Sequence, residues 1–117
     1  MSVFALPRGL PQTESRNFAA VTVVDMLTAT GTGKDSGLDV TQILISNPNA
    51  GAKTITISRY DPATTTAYPI IPGKSIAAND IYLLECYIRL ARGESIRVTP
   101  GAVDPITVHV NYMIPTS

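Results

Sequence analysis

Residues 88–98 read Ile-Arg-Leu-Ala-Arg-Gly-Glu-Ser-Ile-Arg-Val, and this stretch decides the fold class. Apolar residues alternate with arginine on both sides of Gly93, which is the two-residue period of half-buried β-strands. If the two halves form a hairpin, a two-residue loop would mix the two faces, whereas a three-residue loop at residues 91–93 sets Ile96 opposite Ile88. That loop also places Gly93 where a turn with a bulge needs a positive φ angle. We therefore predict the three-residue loop, unless the corner crosses between two sheets.

A second pair of alternating runs lies earlier in the chain. Residues 40–47 and 53–60 flank Asn-Pro-Asn-Ala-Gly, a segment dense in turn-forming residues, and make the clearest hairpin-like pair in the sequence. On the second run Ile55 and Ile57 are predicted to face inward. The residues predicted to face outward are Thr54, Thr56 and Ser58.

The remaining runs have the same strand character. Residues 18–30 predict one long strand or two short ones, residues 68–71 a proline-containing edge strand, and residues 106–112 the closing strand. There are eight or nine such runs at intervals of about ten residues, without βα alternation and without a helix longer than a turn. The sequence therefore predicts an all-β fold, a single antiparallel β-sandwich of Ig-like or jelly-roll type.

The first seventeen residues differ from the rest, because prolines at positions 7 and 11 keep the segment extended and it cannot form a core of its own. We predict an extended N-terminal arm over residues 1–17 and a β-sandwich domain over residues 18–117. The arm either packs on its own domain or reaches a neighbouring subunit. Its apolar anchors, all predicted to bind a partner, are Val3, Phe4, Leu6 and Leu10.

The composition is that of a folded chain with apolar surface to cover. Of its 117 residues 44% are hydrophobic and 15% are charged, and nine basic and nine acidic residues give a formal net charge of zero. A chain of this length buries a core without disulfides, and its apolar excess suggests that a partner covers part of its surface. A chain without net charge has no field to hold nucleic acid, and no apolar run is long enough to span a membrane. We predict neither nucleic acid nor a membrane as a partner.

Residues that often carry chemistry occur here without the neighbours that chemistry requires. His109 is predicted on the polar face of the closing strand, and Cys86, the single cysteine, as a small buried hydrophobe. Residues 73–75, Gly-Lys-Ser, lack the spacing of a phosphate-binding loop. The two carboxylates of residues 35–39 could face a calcium ion in a loop, but the rest of the EF-hand spacing is absent. We predict no catalytic residue, no cofactor and no metal, and therefore no enzyme.

Tyrosines and arginines are the residues best suited to contacts with another molecule. Strand tyrosines commonly pack across strands, and tyrosine is also enriched at interfaces. Arginine outnumbers lysine in the second half of the chain and suits fixed contacts with the carboxylates of a partner. From these two sets we predict Arg59, Tyr60 and Arg92 as partner-binding residues. The five tyrosines are Tyr60, Tyr68, Tyr82, Tyr87 and Tyr112.

One motif resembles a known class of viral proteins. Residues 90–98, Leu-Ala-Arg-Gly-Glu-Ser-Ile-Arg-Val, follow an Ile-Ala-Ala-Asn-Asp approach at residues 76–80 and precede a closing strand that ends near Tyr112. This arrangement resembles small β-sandwich structural proteins of tailed bacteriophages, over roughly residues 40–113. The chain departs from that class where many members have a proline-led approach, and it ends in Met-Ile-Pro-Thr-Ser rather than in an acidic tail.

The resemblance implies a non-enzymatic virion protein assembled in the host cytoplasm. The favoured role is that of a capsid decoration or cement protein, which binds the major capsid protein or other virion proteins. Such a protein would form a homo-oligomer, with a trimer favoured. It would stabilise the head through its N-terminal arm and sandwich edges. The alternative is a neck, tail or fibre-base protein of the virion. A carbohydrate-binding module that uses loop tyrosines is a third, less favoured interpretation.

Overall fold

The structure, a computed structural model, describes residues 9–30 and 37–115. These residues contain no helix, and their regular structure consists of β-strands. In chain order the strands are β1 (Gly9–Phe18), β2 (Val24–Thr28), β3 (Leu38–Asn47), β4 (Lys53–Asp61), β5 (Thr66–Ile76), β6 (Asp80–Leu90), β7 (Ser95–Pro100) and β8 (Ile106–Pro115).

The strands form two four-stranded antiparallel sheets that pack face to face. One sheet has the order β1-β8-β3-β6 and the other has the order β2-β7-β4-β5. Only β4 and β5 are neighbours both in sequence and in a sheet, since every other connection crosses from one sheet to the other. Eight strands wound in this order form a jelly roll, which confirms the predicted β-sandwich and selects the jelly-roll alternative.

The corner at Gly93 crosses between the sheets, so the hairpin predicted over residues 88–98 is wrong. Strand β6 lies in the first sheet and β7 in the second, and Leu90 and Ile96 enter the core from opposite sides. The crossing lets the two strands bury their apolar faces in the same core from opposite sheets rather than side by side in one sheet. The positive φ predicted for Gly93 is confirmed at 91°, and the Gly93 amide donates a 2.8 Å hydrogen bond to the carbonyl of Ala29.

The second predicted hairpin is wrong for the same reason. Strands β3 and β4 flank the turn-rich segment 48–52 as expected, but they belong to different sheets. Ile55 and Ile57 are buried as predicted. Ser58 lies opposite Arg97 and Pro69 on the outer face, yet it is buried, because its cross-strand neighbours on that face are long or rigid side chains.

The core fills the space between the sheets with side chains from all eight strands. Branched aliphatic residues dominate this core, as the alternating pattern predicts. The full burial of one such side chain contributes about 1.5–3 kcal/mol to the free energy of unfolding. Its members are Phe18, Met26, Leu27, Ala29, Leu38, Val40, Ile43, Ile45, Ile55, Ile57, Ile71, Ile76, Leu90, Ile96, Val98, Ile106, Val108 and Val110.

Strand β1 brings part of the predicted N-terminal arm into the first sheet. It pairs with β8 in one unbroken register from Gly9 opposite Pro115 to Phe18 opposite Ile106. The boundary predicted between residues 17 and 18 lies inside this strand, and Leu10 is opposite Ile114. The other arm residues predicted to bind a partner, Val3, Phe4 and Leu6, lie outside the described residues.

Candidate interaction surfaces

The predicted partner residue Arg59 is engaged within the chain. Its Nη1 donates to both carboxylate oxygens of Glu94 at 3.2 Å, and its guanidinium lies 5.0 Å from the ring centre of Tyr68. Glu94 also accepts a 2.9 Å hydrogen bond from the amide of Ala91, which ties it to the turn between β6 and β7. Arg59 therefore braces this turn, and only its half-exposed flank is open to a partner.

Tyr60, the next residue along β4, points to the opposite face and lies under Arg97. The Arg97 guanidinium is 3.5 Å from the ring centre of Tyr60, a cation–π contact across neighbouring strands. The same guanidinium donates to both oxygens of Asp25, at 2.8 and 3.2 Å. Sequence patterning missed this cluster because Asp25 and Arg97 are far apart in the chain, although both fall on the polar face of their strands.

The Asp25–Arg97 pair makes stability depend on pH. The hydrogen bond from Arg97 holds the pKa of Asp25 below its ordinary value, against a smaller opposing effect of burial. A lowered pKa in the folded state stabilises the fold at every pH above the unfolded-state pKa of about 3.9, and this contribution disappears as the pH falls through the folded-state pKa. Because the pair is partly exposed, solvent screens it and its contribution is below about 1 kcal/mol.

We expect Asp25→Asn to lower the free energy of unfolding slightly at pH 7 and to have a progressively smaller effect as the pH falls below the ordinary aspartate pKa of about 3.9. Urea unfolding at a series of pH values measures this difference. Asp61→Asn, at the partly buried carboxylate that ends β4, is the matched control, because the asparagine oxygen can still accept the hydrogen bond from the Ala63 amide, and it should give a curve parallel to that of the wild type. A constant difference across the series for Asp25→Asn would show that the pair is not what links stability to pH.

The predicted residues Arg59, Tyr60 and Arg92 gather at one end of the sandwich, which we call the charged end. It comprises the turns at residues 62–65 and 91–94, together with the place where β1 begins and β8 ends. Arg92 is exposed at the tip of the second turn. Residues 1–8 join the described chain at this same end, through Gly9.

The outer face of the first sheet has a polar half and an apolar half. In the polar half Ser15 and His109 hydrogen-bond at 2.7 Å, and Thr13 donates to Asn111, which in turn donates to Gln42. His109 thus lies on the polar face, as predicted. This ladder joins β1, β8 and β3 across the sheet.

The apolar half belongs to β6, an edge strand. Ile81, Leu83 and Tyr87 point outward and are 59%, 48% and 69% exposed; we call these three residues the β6 ridge. Residues 80–85 pair with β3 without a register shift and contain no proline, so these two protections against further strand pairing are absent there, although the exposed Asp80 and Glu85 place charges at the two ends of the stretch. Strand β5, the edge of the other sheet, carries two prolines and two register shifts against β4, which confirms its predicted edge position.

Sequence patterning missed the β6 ridge because residues 81–84 read Ile-Tyr-Leu-Leu, a continuous apolar run of the kind found in fully buried strands. The alternation is visible only in the structure, where Tyr82 and Leu84 are half-buried against the core and their neighbours are exposed. The ridge therefore has the chemistry of a protein interface rather than of a core strand.

The tyrosines do not form a common sugar platform. Tyr60 is stacked with Arg97, Tyr82 lies 4.8 Å below the ammonium of Lys74, and Tyr112 packs against the core. All five lie on strands rather than in loops. Tyr87 is the most exposed, and it belongs to the β6 ridge.

The other candidate chemical groups lie apart from one another. Asp39 is buried and pairs with Arg89 at 3.1 Å, whereas Asp35, the other carboxylate considered for calcium, lies outside the described residues. Residues 9–30 and 37–115 hold no group of three or more His, Cys, Asp or Glu side chains placed to bind a metal ion. Burial raises the pKa of the Cys86 thiol, which packs beside the core. Among the same residues no helix is long and apolar enough to cross a membrane.

Comparison with known proteins gives a match in structure and none in sequence. No protein-family model and no curated protein matches the chain. A chain in the acidic stable capsid structure of Helicobacter pylori bacteriophage KHP30 superposes with a TM-score of 0.61 at 13% identity, over 93% of this chain and 91% of that one. A chain of infectious bursal disease virus, Gx strain, aligns with a TM-score of 0.38 at 11% identity, and this protein spans 37% of its length. The phage chain therefore has the same fold from end to end.

Proposed function

We propose that this protein is a non-enzymatic structural component of a virion, and specifically a capsid decoration or cement protein. In this proposal it is assembled in the host cytoplasm, forms a homo-oligomer on the phage head, with a trimer favoured, and stabilises the head by binding the major capsid protein. The observation that carries the proposal is the end-to-end fold match with a chain of a phage capsid.

The extent of that match supports a small accessory protein. Since the alignment covers more than nine-tenths of both chains, the two have nearly equal lengths. The match is therefore between whole chains rather than between this chain and one domain of a larger protein. A jelly roll of this size offers several flat faces and edges, which suits repeated contacts that add up through symmetry.

The β6 ridge supplies one surface for the capsid contact. An edge strand with outward isoleucine, leucine and tyrosine and without proline can accept a strand of a partner, whose main chain would pair with β6 while its side chains cover the ridge. The extended part of the edge, residues 80–85, is long enough for such an addition. Glu85, exposed between Leu83 and Tyr87 on the same face, would pair with a basic side chain of the partner.

Residues 1–8 supply a second contact in this proposal. They are joined to β1 at the charged end and, fully extended, reach about 27 Å. In this proposal Val3, Phe4 and Leu6 contact a neighbouring subunit. Arg92, exposed at the same end, is placed for an ion pair with a carboxylate of that subunit.

The test locates the protein in the particle and measures its binding to phage heads. Antibody labelling of purified particles is expected to mark the head, and recombinant protein is expected to bind heads that lack it. Leu83→Glu should weaken this binding by about tenfold or more, since a charge buried without a partner costs at least 1–3 kcal/mol. The mutated side chain is exposed in the free protein, so its fold should be unaffected.

Thr22→Glu, which adds the same charge in the exposed loop between β1 and β2, away from both β6 and the charged end, is the matched control and should bind like the wild type. Antibody label at the neck, tail or fibre base would contradict the decoration role and favour a neck, tail or fibre-base protein instead. A protein absent from particles, or one that binds glycans through Tyr87, would overturn the virion proposal itself.

A further inference from the structure

Two charged side chains share the outer face of β6 with the β6 ridge. Exposed and half-buried residues alternate without a break from residue 81 to residue 89, which places Glu85 and Arg89 on the same face as the ridge. Glu85 lies opposite Gln42 of β3, and among the described residues no cation forms an ion pair with it. A contact that covers this edge must therefore supply a cation, because a carboxylate buried without a partner is costly.

Arg89 can supply that cation to a second molecule. Its Nη1 donates to Oδ1 of Asp39 at 3.1 Å, and 47% of its side chain is exposed. A guanidinium has five N–H donors, so this bond leaves Arg89 able to bind a second carboxylate. Along the strand Glu85 comes first, Tyr87 lies midway and Arg89 follows. Read in reverse, this order sets a cation where the anion was, so the strand is complementary to a second copy that runs in the opposite direction.

One antiparallel register matches these charges. Pairing about a twofold axis at Tyr87 sets Tyr87 opposite its own counterpart, and it sets each Glu85 opposite the Arg89 of the other copy. Every other register that keeps the two outer faces on the same side sets Glu85 opposite an uncharged residue or opposite its own counterpart. Cross-strand pairs of opposite charge stabilise a sheet and pairs of like charge destabilise it, so the charges select this register.

The inner face of β6 is apolar over the same length. The register pairs Leu84 with Leu90 and Cys86 with Ile88 of the other copy, so only apolar side chains meet on that face. Leu84, Cys86 and Ile88 are half-buried against the core of the single chain, and a second β6 would cover the rest of them. The register of β6 against β3 shifts between residues 85 and 88, but the alternation of side chains on β6 continues through the shift and keeps both faces intact.

We propose that two copies of the free protein pair through β6, which joins their first sheets into one continuous antiparallel sheet. The main chains of residues 84–90 hydrogen-bond to each other, and the two pairs of Glu85 with Arg89 fix the register. This dimer goes beyond the proposed function, in which β6 binds the capsid. Since an edge pairs with one strand at a time, the dimer opens when the protein binds a head, and this opening is the one step that rests on the proposed function.

Sedimentation velocity of the full-length protein over a concentration series, without heads, tests the pairing. The wild type should reach twice the monomer mass. Glu85→Arg and Arg89→Glu should each raise the dissociation constant by about tenfold or more, because symmetry makes each change create two contacts between like charges. An equimolar mixture of the two variants should dimerise again, since each supplies the charge that the other has lost. Thr22→Arg, in the loop between β1 and β2, is the control and should dimerise like the wild type. Thermal melting verifies that each variant is folded.

A cysteine at the axis tests the register without changing either charge. In a Cys86→Ser background, Tyr87→Cys should give a disulfide-linked dimer under mild oxidation, because directly opposite residues of paired strands have Cβ atoms about 4.5–5.5 Å apart. Leu83→Cys in the same background is the matched control and should stay unlinked. Its counterpart lies eight residues along the ladder, about 27 Å away.

Three results would overturn the inference. The first is a wild-type protein that stays monomeric up to about 100 μM, and the second is a mixture of the two folded charge variants that does not dimerise. The third is a Leu83→Cys variant that cross-links as readily as Tyr87→Cys. The cross-link alone decides if Arg89→Glu, which also removes the partner of Asp39, does not fold. Binding to heads is measured separately, so the dimer and the capsid contact can fail independently.

Discussion

Asn47→Ala is expected to lower the free energy of unfolding by about 2–4 kcal/mol, measured by urea denaturation at pH 7. Asn47 is 1% exposed at the end of β3. Its side-chain nitrogen lies 3.0–3.1 Å from the carbonyl oxygens of Gly51, Ile76 and Ala77, and its two N–H groups are shared among these three acceptors. Its side-chain oxygen accepts from both the main-chain and the side-chain nitrogen of Asn49, at 3.0 and 2.9 Å.

The large effect follows from the groups left without partners. Alanine removes no apolar packing of consequence, but it leaves three carbonyls and one amide without their hydrogen bonds in a region that water reaches poorly. An unsatisfied buried polar group costs about 1–3 kcal/mol, more than a typical hydrogen bond contributes when both partners are present. The loop carbonyls are partly exposed, so each loses less than a fully buried group would. We therefore expect a total loss of unfolding free energy near the lower end of the range obtained by adding these penalties.

Asn47→Asp removes the hydrogen-bond donors of the side chain but keeps its shape, so it tests the two contributions separately. The substitution keeps the volume and the oxygen that Asn49 contacts, but it turns a carboxylate oxygen toward three carbonyls. At pH 7 it should destabilise the protein at least as much as alanine does. Burial and the facing carbonyl oxygens raise the pKa of this carboxylate, so the variant should recover relative to the wild type as the pH falls toward 4. Equal stability of the Asp variant and the wild type at pH 7 would contradict the assigned donor role.

The alternating pattern of residues predicted strands and inner faces, but it did not predict which strands are neighbours. At both corners that were predicted as hairpins, a turn is present and the apolar residues face the core, as expected. The chain instead changes sheets there, because the burial of an apolar face is satisfied equally by a neighbouring strand or by a strand across the core. Choosing between the two depends on contacts distant in sequence, such as the Gly93 amide with Ala29.

The candidate surfaces were predictable only where local sequence marks them. Arg59, Tyr60 and Arg92 were singled out by residue type, and the first two prove to be held by Glu94 and Arg97 within the chain. Asn47 was recognised as a turn residue, but its bonds to the end of β5 and to loop 77–79 depend on the jelly-roll topology. The pairing of β6 with a second copy could not be foreseen for the same reason, since only the sheet order makes β6 an edge strand.

Ile96→Ala should lower the free energy of unfolding by about 2–5 kcal/mol, the range for deleting a large aliphatic side chain from a core that relaxes only partly. Ile96 lies just past the corner at Gly93, fully buried, on a strand with β2 on one side and β4 on the other. Strands held on both sides cannot easily shift to fill a cavity, so the cost should fall in the upper part of that range. Urea denaturation of the full-length chain measures it.

Two companion variants test the crossed corner itself. Ile96→Val removes one methylene from the same site and should cost about 0.5–1.5 kcal/mol. Ile88 lies on β6, an edge strand, and is only partly buried, so Ile88→Ala should cost less than Ile96→Ala. In a hairpin these two isoleucines would be paired neighbours, and their double variant would show a coupling energy of at least 0.5 kcal/mol. Because they belong to opposite sheets here, we expect their two effects to add, and a clear coupling would argue for the hairpin instead.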